Sequence, residues 1–378
     1  MSFSLWPRSS SAENSIASAA SINARLSTPA LDFMQVLHSS RLNVYDYREF
    51  VEGGRFNKLE PMGSGGQAVV ELSSRPGVVI KRTRRLQDGN GKQISHFDKD
   101  LARLTLELRI LTSTPFRQLD LFVKVVGVCF EEPFAGLDPS GAGQFHLLLE
   151  YSELGDMASF LRRNGQQLDT KLKIDLAFQV SRGLVVLHND YICHGDLKTQ
   201  NILIFNGNDG RHVAKLADFG LSVHTHYGDV LTGSKRDVYY PLGTPLLNAP
   251  EVRNQAPGAG SVDIAAAIKA DIFSFGLLLW EILNNGHSFF DVAWLDPFRR
   301  STQELDVEEK MAFLSALPCN GLLTYGEKFL SAQNMDEIFY EKGLQAFNAS
   351  LQDDPLQRQP IQEIWKILLP EAEKTRFD

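Results

Sequence analysis

The sequence predicts an α+β fold of two lobes, a small β-rich N-lobe with one main helix and a larger, mainly helical C-lobe. Short β-like runs begin after residue 56, and apolar residues recur at helical spacing later in the chain. Strands that precede helices in this way indicate an α+β arrangement. The predicted lobes span residues 56–151 and 152–369, with a flexible Ser/Ala-rich tail over 1–55 and a short tail over 370–378.

The N-lobe elements follow from apolar patterns and turn residues. The predicted strands are Ala68 to Leu72, Val78 to Lys81, Phe122 to Phe130 and Phe145 to Tyr151. The turn Arg75-Pro76-Gly77 joins the first two into a hairpin. Leucines at positions 101, 104, 108 and 111 form a helical stripe within Phe97 to Leu111, which Pro115 ends.

The C-lobe is predicted to be mostly helical. Its clearest predicted helices are Met157 to Arg163, Leu172 to His188, Asp271 to Leu283 and Ile361 to Leu369. A second hairpin is predicted where Ile202 to Phe205 and Val213 to Ala217 flank the Gly- and Asn-rich turn over 206–210. The sequence contains no internal repeat.

The amino-acid composition argues against nucleic acid and membranes as partners. The chain is 43% hydrophobic and 22% charged, as in ordinary globular proteins, and its net charge of −8 disfavours binding to nucleic acid or to membrane surfaces. Three widely spaced cysteines, Cys129, Cys193 and Cys319, form no disulfide or zinc pattern, which predicts a reducing, cytoplasmic location. No apolar run is long enough for a membrane span.

The first 55 residues carry little periodic pattern. A short helix is expected around Phe33 to His38. Trp6-Pro7 and the serines at 9–11 interrupt any apolar core, so the segment does not resemble a secretory signal. A plain flexible tail and a transit peptide are the two remaining interpretations.

Two features of the N-lobe suit phosphate binding. In Gly63-Ser64-Gly65-Gly66, glycines let backbone amides approach an anion, although many glycine-rich turns are only turns. Lys81 ends an apolar strand and needs an anionic partner, for which phosphate and Glu107 on the following helix are candidates. The alternative is a lysine that extends from the strand end to solvent.

The most specific motif is His194-Gly195-Asp196-Leu197-Lys198-Thr199-Gln200-Asn201, followed after one hairpin by Ala217-Asp218-Phe219-Gly220. Asn201 and Asp218 offer hard oxygen ligands suited to Mg²⁺. Asp196 is suited to accept a hydroxyl proton, and Lys198 to neutralise a phosphoryl group in transfer.

With these motifs the sequence resembles the eukaryotic protein-kinase family, from about residue 56 to about residue 369. The resemblance implies a bilobal protein-kinase-like fold, ATP and Mg²⁺ as cofactors, and a protein substrate. It implies catalytic roles for Asp196, Lys198, Lys81 and Glu107, and metal binding by Asn201 and Asp218. The residues implied in nucleotide binding are Gly63, Ser64, Gly65, Gly66, Val70, Val79, Lys81, Glu150, Tyr151 and Leu203.

The resemblance extends to supporting residues. Asp271 resembles the aspartate of a buried anchor helix, and Arg358 resembles a late arginine that pairs with Glu251 of Ala249-Pro250-Glu251. Lys198 and the sequence Gly243-Thr244-Pro245 resemble the serine/threonine branch of the family, in which Thr244 would hydrogen-bond near Asp196 and Lys198.

The chain departs from the family pattern at Gly195, where an arginine is usual. In the family that arginine receives a phosphate on the activation segment through charge-assisted bonds. Its absence predicts that activity depends less on phosphorylation of that segment. Ala68 stands in place of the third glycine of the loop, and Val79 in place of an alanine beside adenine.

Two alternatives keep the fold and change the function. A pseudokinase scaffold would bind partners without phosphoryl transfer, because intact motifs are necessary for catalysis and not sufficient. A small-molecule phosphotransferase is the other alternative, since H-G-D-L also resembles the catalytic loop of those enzymes. Against it, Asp218-Phe219-Gly220 and Ala249-Pro250-Glu251 suit a protein-kinase activation segment.

Overall fold

A computed structural model of the 378-residue chain describes residues 28–51, 61–64, 68–83, 86–87, 93–94, 97–132, 143–224, 238–239, 243–254, 261–262, 264–291 and 306–370. They form two compact units. The first contains the described residues up to Arg117 and the stretch Lys124–Tyr151, and the second contains Gln118–Val123 and the described residues from Ser152 onward. The first unit is β-rich and the second mainly helical, which confirms the predicted α+β kinase-like fold.

The strands of the first unit are β1 (Val44–Asp46), β2 (Pro61–Ser64), β3 (Ala68–Leu72), β4 (Val78–Thr83), β5 (Leu86–Gln87), β6 (Gln93–Ile94), β7 (Val125–Glu131) and β8 (Gln144–Glu150). Six of them form one sheet in the order β1-β7-β8-β4-β3-β2, and β5 pairs with β6. The β3–β4 hairpin turns at Gly77, whose φ of +76° lies in the left-handed region that glycine adopts without strain. Lys81 on β4 lies opposite Val70 on β3 and Leu147 on β8.

The main helix of the first unit is α2 (Phe97–Thr112), preceded in the chain by α1 (Thr28–Ser40). The four leucines of the predicted stripe on α2 are buried, so the stripe is the face that packs against the unit. Residues 28–51, called here the N-terminal segment, comprise α1, β1 and a 3₁₀ helix at Tyr47–Phe50.

The structure differs from the flexible tail predicted over residues 1–55, because the N-terminal segment is folded onto the first unit. Residues 1–27 and 52–60 lie outside the described residues. Tyr47 and Phe50 are buried in one cluster with Ile80, Cys129 and Leu148 of the sheet. Apolar side chains on that face of β4, β7 and β8 need cover, and the N-terminal segment supplies it. A capping box between Asp46 and Glu49 starts the 3₁₀ helix.

The second unit is built mainly from helices. They are α3 (Met157–Asn164), α4 (Thr170–Asn189), α5 (Pro250–Arg253), α6 (Ile264–Leu283), α7 (Val307–Ala316), α8 (Gly321–Ala332), α9 (Glu337–Ser350) and α10 (Ile361–Leu368). Its short strands are β9 (Ile192–Cys193), β10 (Ile202–Asn206), β11 (His212–Leu216), β12 (Val223–His224), β13 (Val238–Tyr239) and β14 (Ser261–Val262). β10 and β11 form the predicted hairpin, and β12 pairs antiparallel with β9.

Helix α6 forms the centre of the second unit. Its residues from Ala270 to Leu283 are buried except Ser274, as expected for a helix that is apolar on all sides. The Trp280 ring packs against Phe289, Phe329 and Phe347, with ring centroids 5.5 to 5.8 Å apart. Among the described residues, no helix is both long enough and apolar enough to traverse a bilayer.

The strand predicted from Phe122 to Phe130 is shorter in the structure, where β7 begins at Val125. Phe122 instead forms an isolated bridge with Leu216 on β11, and the Val123 amide donates to the Leu216 carbonyl at 3.0 Å. Phe122 is fully buried and its ring lies 6.1 Å from that of Phe219. Its apolar character therefore reflects packing in the second unit.

Candidate active site

Lys81 and Glu107 form an ion pair within the first unit. Lys81 Nζ on β4 donates to both carboxylate oxygens of Glu107 on α2, each at 2.7 Å. The side chains are 12% and 4% exposed, so the pair is largely shielded from solvent. Removal of either residue should destabilise the fold, because it leaves the other charge shielded from water and without its partner. The structure thus brings together the lysine and glutamate that the sequence pairs.

The glycine-rich turn is described only in part. Gly63 and Ser64 form the end of β2, and the register places Gly63 opposite Val70 on β3. Gly65 and Gly66, predicted to contact phosphate, lie outside the described residues. Val70, predicted to contact adenine, is half-buried on β3.

The other predicted nucleotide residues of the first unit lie along β4 and at the end of β8. Val79 is buried on β4, opposite Leu149 on β8. Glu150 Oε1 accepts from the backbone amide of Lys124 at 2.8 Å. The Tyr151 amide donates to the carbonyl of the glycine that ends the β3–β4 turn, at 2.9 Å. Hydrogen bonds therefore hold Glu150 and Tyr151 to other residues of the first unit.

In the second unit, Asp196 accepts hydrogen bonds on both carboxylate oxygens. Oδ1 accepts from the backbone amide and from Oγ1 of Thr244, at 2.9 and 2.8 Å. Oδ2 accepts from Lys198 Nζ at 2.6 Å and from Asn201 Nδ2 at 3.1 Å. Lys198 Nζ also donates to Thr244 Oγ1 at 2.9 Å. Thr244 therefore bridges the two residues to which the sequence assigns phosphoryl-transfer chemistry.

The two predicted metal ligands lie on either side of the β10–β11 hairpin. Asn201 uses Nδ2 in bonds to the backbone carbonyl and the carboxylate of Asp196, so Oδ1 is the atom it can offer to a cation. The amide of Ala217, which precedes Asp218, donates to the Asn201 carbonyl at 2.9 Å. Asp218 has a φ of +63°. A left-handed conformation at a non-glycine residue costs energy and is typical of functional sites.

Leu203, the remaining predicted adenine contact, lies on β10 and is half-buried. It bridges to Asp156, which caps the N-terminus of α3 through a bond to the Ser159 amide at 2.9 Å. The structure places Leu203 in the second unit, two residues after Asn201.

Asp271 on α6 holds the beginning of the loop over residues 194–201, called here the catalytic loop after its predicted role. Its Oδ2 accepts from the His194 amide at 2.6 Å, its Oδ1 accepts from the Gly195 amide at 3.0 Å, and His188 Nε2 lies 3.2 Å from Oδ2. Burial alone would raise the pKa of the Asp271 carboxyl, but the hydrogen bonds from His188 and His194 outweigh it and lower the pKa below 3.8. The carboxylate anchors two consecutive residues of the loop.

Gly195 is required by the backbone of this loop. Its φ is +79°, and an added Cβ would lie 2.3 Å from the backbone carbonyl oxygen of Leu221. Real Cβ atoms do not approach an oxygen so closely, so any side chain here would displace the backbone. The glycine at this position therefore allows the Leu221 backbone to lie against the catalytic loop.

Sequence reasoning missed two contacts of the catalytic loop. Thr199 Oγ1 donates to Glu281 Oε2 on α6 at 2.6 Å, and both residues are buried. Gly243 allows a close approach of its segment, because a Cβ there would lie 2.5 Å from the Gly195 carbonyl oxygen. A signal for the first was present, since a glutamate within an apolar helix needs a polar partner.

Arg358 and Glu251 form the ion pair that the resemblance implied. Nη1 and Nη2 of Arg358 donate to the two Glu251 oxygens at 2.7 and 2.8 Å. The remaining arginine donors are directed to the backbone carbonyls of Gln352, Lys269 and Asp353. The Arg358 side chain is fully buried, and such a fork of paired bonds is a geometry that lysine cannot reproduce.

A family model described as protein tyrosine and serine/threonine kinase matches residues 92–311, which is more than half of the chain. The matched stretch includes Glu107, Asp196, Asn201 and Asp218, whereas Lys81 and the glycine-rich turn precede it.

Similar proteins differ in the acceptor class that their names state. Serine/threonine-protein kinase CTR1 of Arabidopsis thaliana is 33% identical over 140 residues, covering 36% of this chain and 15% of that protein. Tyrosine protein-kinase src-1 of Caenorhabditis elegans is 30% identical over 168 residues, covering 43% and 27%. Dual specificity testis-specific protein kinase 2 of Homo sapiens is 33% identical over 161 residues, covering 43% and 24%.

These matches span less than a third of the length of each named relative. The match over residues 92–311 agrees with the geometry of the structure. Lys81 is paired with Glu107, as the resemblance to protein kinases implies, and Asp196 is hydrogen-bonded to Lys198. The chain belongs to the protein tyrosine and serine/threonine kinase family.

Proposed function

We propose that this chain is an ATP-dependent protein kinase that transfers the γ-phosphoryl group of ATP to serine and threonine hydroxyls of protein substrates. The observation that carries the proposal is the bridge formed by Thr244 Oγ1, which donates to Asp196 and accepts from Lys198. The bridge holds together a carboxylate suited to a hydroxyl and an ammonium suited to a phosphoryl group. Lys198 and Thr244 are also the residues by which the sequence resembles the serine/threonine branch.

Asp196 would orient the substrate hydroxyl and accept its proton. A carboxylate offers about four lone-pair sites, and the four donors from Thr244, Lys198 and Asn201 use them. A bound hydroxyl therefore replaces one donor. Lys198 is suited to give way, because its long side chain can turn from Asp196 toward the transferred phosphoryl group and steady its charge.

Lys81 would hold the ATP phosphates together with backbone amides of the glycine-rich turn. Glu107 keeps the Lys81 ammonium in place through two hydrogen bonds of 2.7 Å. Val70, Val79 and Leu203 would contact adenine, and the backbone at Glu150 and Tyr151 would bind its edge. These roles follow from the family resemblance, residue by residue.

Asn201 and Asp218 would hold Mg²⁺. The donor set fits this ion, because Mg²⁺ in phosphoryl-transfer enzymes is held by one or two side-chain oxygens and completed by phosphate oxygens and water. The Asn201 amide is oriented by Asp196, and the Asp218 backbone is in a left-handed conformation that sets the direction of its side chain. When bound, the ion neutralises phosphate charge.

The test is an autophosphorylation assay with labelled ATP and Mg²⁺, with wild type beside Asp196→Asn and Asp190→Asn. Asp190 is an exposed residue at the C-terminal end of α4, ahead of the loop that carries Asp196, so its variant controls for the loss of one carboxylate. We expect label on serine or threonine with wild type and with Asp190→Asn, and none with Asp196→Asn. Nucleotide binding should persist in all three. Lys81→Met should weaken nucleotide binding and abolish transfer.

The other functions give different outcomes. Magnesium-dependent nucleotide binding without transfer to any protein would favour a pseudokinase scaffold. Transfer to small alcohols or amines alone would favour a small-molecule phosphotransferase. Label on tyrosine alone would keep the reaction and overturn the assigned acceptor.

We also propose a cytoplasmic location, supported by three cysteines without a disulfide pattern, two of which are buried as free thiols. Fractionation of cells that express the tagged chain tests this location.

A further inference from the structure

The N-terminal segment contacts α2 on the side away from Lys81. Asp32 on α1 forms an ion pair with Arg109 on α2, and the side chains are 23% and 18% exposed. Arg109 lies two residues after Glu107. At 3.6 residues per turn, side chains two positions apart leave a helix about 200° apart, so Glu107 and Arg109 lie on opposite sides of α2. One side holds Lys81 and the other holds the N-terminal segment.

Apolar packing fixes α1 in this position. Phe33 is 1% exposed, and its ring lies 4.7 Å from the ring of Phe145 on β8. Phe145 packs in turn against Phe130 on β7, at 4.9 Å. Arg117 Nη1, beyond the end of α2, donates to the carbonyl of Ser40 at the end of α1. Asp32 is thus presented to Arg109 by a helix that is anchored on the sheet.

The same segment contacts β4 beside Lys81. Arg82 follows Lys81 and points to the opposite face of the sheet, since side chains alternate along a strand. Arg82 Nη1 donates to the Tyr47 hydroxyl at 3.0 Å, and the guanidinium lies 5.2 Å from the centre of the Tyr47 ring. Glu71 and Glu131 complete this site at 3.3 and 3.1 Å. Burial raises the pKa of Tyr47 to about 12, so the hydroxyl is not ionised near neutral pH.

We propose that Asp32 and Tyr47 are positioning residues for the Lys81–Glu107 pair. The pair joins α2 to β4, and the N-terminal segment contacts both elements next to it, through Arg109 on α2 and Arg82 on β4. Loss of either contact leaves α2 or β4 with fewer restraints on the distance between Lys81 and Glu107. The expected effect on ATP rests on the proposed function, whereas the effect on α2 does not.

The experiment uses the full chain and compares wild type with Asp32→Asn. Amide hydrogen exchange over residues 97–112 reports on α2, and titration with a fluorescent ATP analogue plus Mg²⁺ reports on Lys81. We expect α2 to exchange about fivefold faster and the analogue to bind about threefold more weakly, because a partly shielded ion pair contributes more than an exposed one. Where turnover is measurable, KM for ATP should rise more than kcat falls.

Glu132→Gln is the matched control. It removes the Arg48–Glu132 ion pair, which also ties the N-terminal segment to the end of β7 but is exposed and involves no residue of α2 or β4. We expect wild-type exchange and binding from this variant. Tyr47→Phe keeps the ring and loses only the hydroxyl contact to Arg82, so it should weaken analogue binding with little change in α2 exchange.

A rescue experiment distinguishes a positioning role of Asp32 from a general effect on stability. The exchanged pair Asp32→Arg with Arg109→Asp should return α2 exchange and analogue binding toward wild type. Unchanged α2 exchange in a folded Asp32→Asn variant would overturn the proposal, and so would failure of the exchanged pair to improve on Asp32→Asn. If Asp32→Asn unfolds as a whole, Arg109→Gln and the exchanged pair decide by the same criteria. Faster α2 exchange in a chain without phosphoryl transfer would support the positioning role and count against the proposed kinase function.

Discussion

Thr199 and Glu281 are joined by a buried hydrogen bond of 2.6 Å between the catalytic loop and helix α6. Asp271, earlier on the same helix, holds the opposite end of the loop through the amides of His194 and Gly195. At 1.5 Å of rise per residue, the two acidic residues are about 15 Å apart along the helix. Helix α6 therefore fixes the loop that carries Asp196 at two points, and each can be tested alone.

Thr199→Val should weaken the attachment of the catalytic loop to helix α6 at Glu281. The substitution keeps the volume and removes the hydroxyl donor to Glu281, so we expect a loss of about 1–3 kcal/mol in the free energy of unfolding. Displacement of the neighbouring Lys198 should lower kcat on the order of tenfold, with little change in KM for ATP. Urea denaturation and steady-state kinetics measure both. Thr199→Ser, which keeps the hydroxyl and loses only the methyl group, is the control, and equal losses in the two variants would show that the hydrogen bond to Glu281 does not account for the effect.

Thr244→Val should lower activity without lowering stability, because it removes only the hydroxyl that bridges Asp196 and Lys198. It removes the hydroxyl between Asp196 and Lys198 and leaves the Thr244 amide bond to Asp196 intact. We expect kcat to fall on the order of a hundredfold while the midpoint of thermal unfolding changes little. Thr244→Ser should retain most activity in the same phosphate-transfer assay. A fully active Thr244→Val variant would remove Thr244 from the proposed mechanism.

Gly195→Ala should be more costly than a matched change at Gly210. Both glycines have nearly the same φ, +79° and +78°, but a Cβ at Gly210 meets nothing within 4 Å. The left-handed conformation costs about 1–2 kcal/mol in either variant. Contact with the Leu221 carbonyl should add about 1–3 kcal/mol at Gly195 alone. Equilibrium denaturation of the two variants gives the difference, which would be near zero if the loop relaxes freely.

Asp271→Asn should change how stability depends on pH. The pKa of Asp271 is lowered in the folded chain, so its charge stabilises the fold fully above the unfolded value of 3.8. That contribution is lost as pH falls below 3.8 and through the folded pKa. We therefore expect a wild-type chain that weakens in acid and an Asp271→Asn chain that is weaker at pH 7 but has a flatter acid profile. Identical slopes would contradict the assigned hydrogen bonds, and Asp190→Asn serves as the exposed control.

Removal of one partner from the Arg358–Glu251 pair should be strongly destabilising. Arg358→Met leaves the Glu251 carboxylate without its forked partner, and Glu251→Gln leaves a buried guanidinium. Each should cost about 3–5 kcal/mol in the free energy of unfolding. The double variant should cost less than the sum of the two, and a double-mutant cycle by urea denaturation measures this coupling. Additive losses would show that the backbone bonds of Arg358, not the ion pair, carry the stability.

Much of the candidate site was predictable from the sequence, because its residues are close together in the chain. Asp196, Lys198 and Asn201 share one loop, and one hairpin separates them from Asp218, so spacing alone constrains their arrangement. Glu107 was predictable from a different signal, the leucine stripe that places it on an amphipathic helix after Lys81. The main strands and helices followed from the same periodic patterns.

Contacts between distant and weakly patterned segments were not predictable. Strand β1 has only three residues and pairs in parallel with β7, more than 80 residues later, so its own sequence carries no sign of the partner. Glu281 lies in a helix that is apolar on every side, which gives no direction to its carboxylate. The φ of Gly195 depends on the approach of Leu221, a tertiary contact that local propensity does not report.

The cluster of Tyr47 and Phe50 with Ile80, Cys129 and Leu148 has a practical consequence for recombinant work. A fragment that starts at residue 56 keeps Ile80, Cys129 and Leu148 but lacks the two aromatic side chains that cover them. Its sheet would expose a hydrophobic patch of the kind that causes aggregation. Expression boundaries for this protein should therefore be set upstream of residue 28.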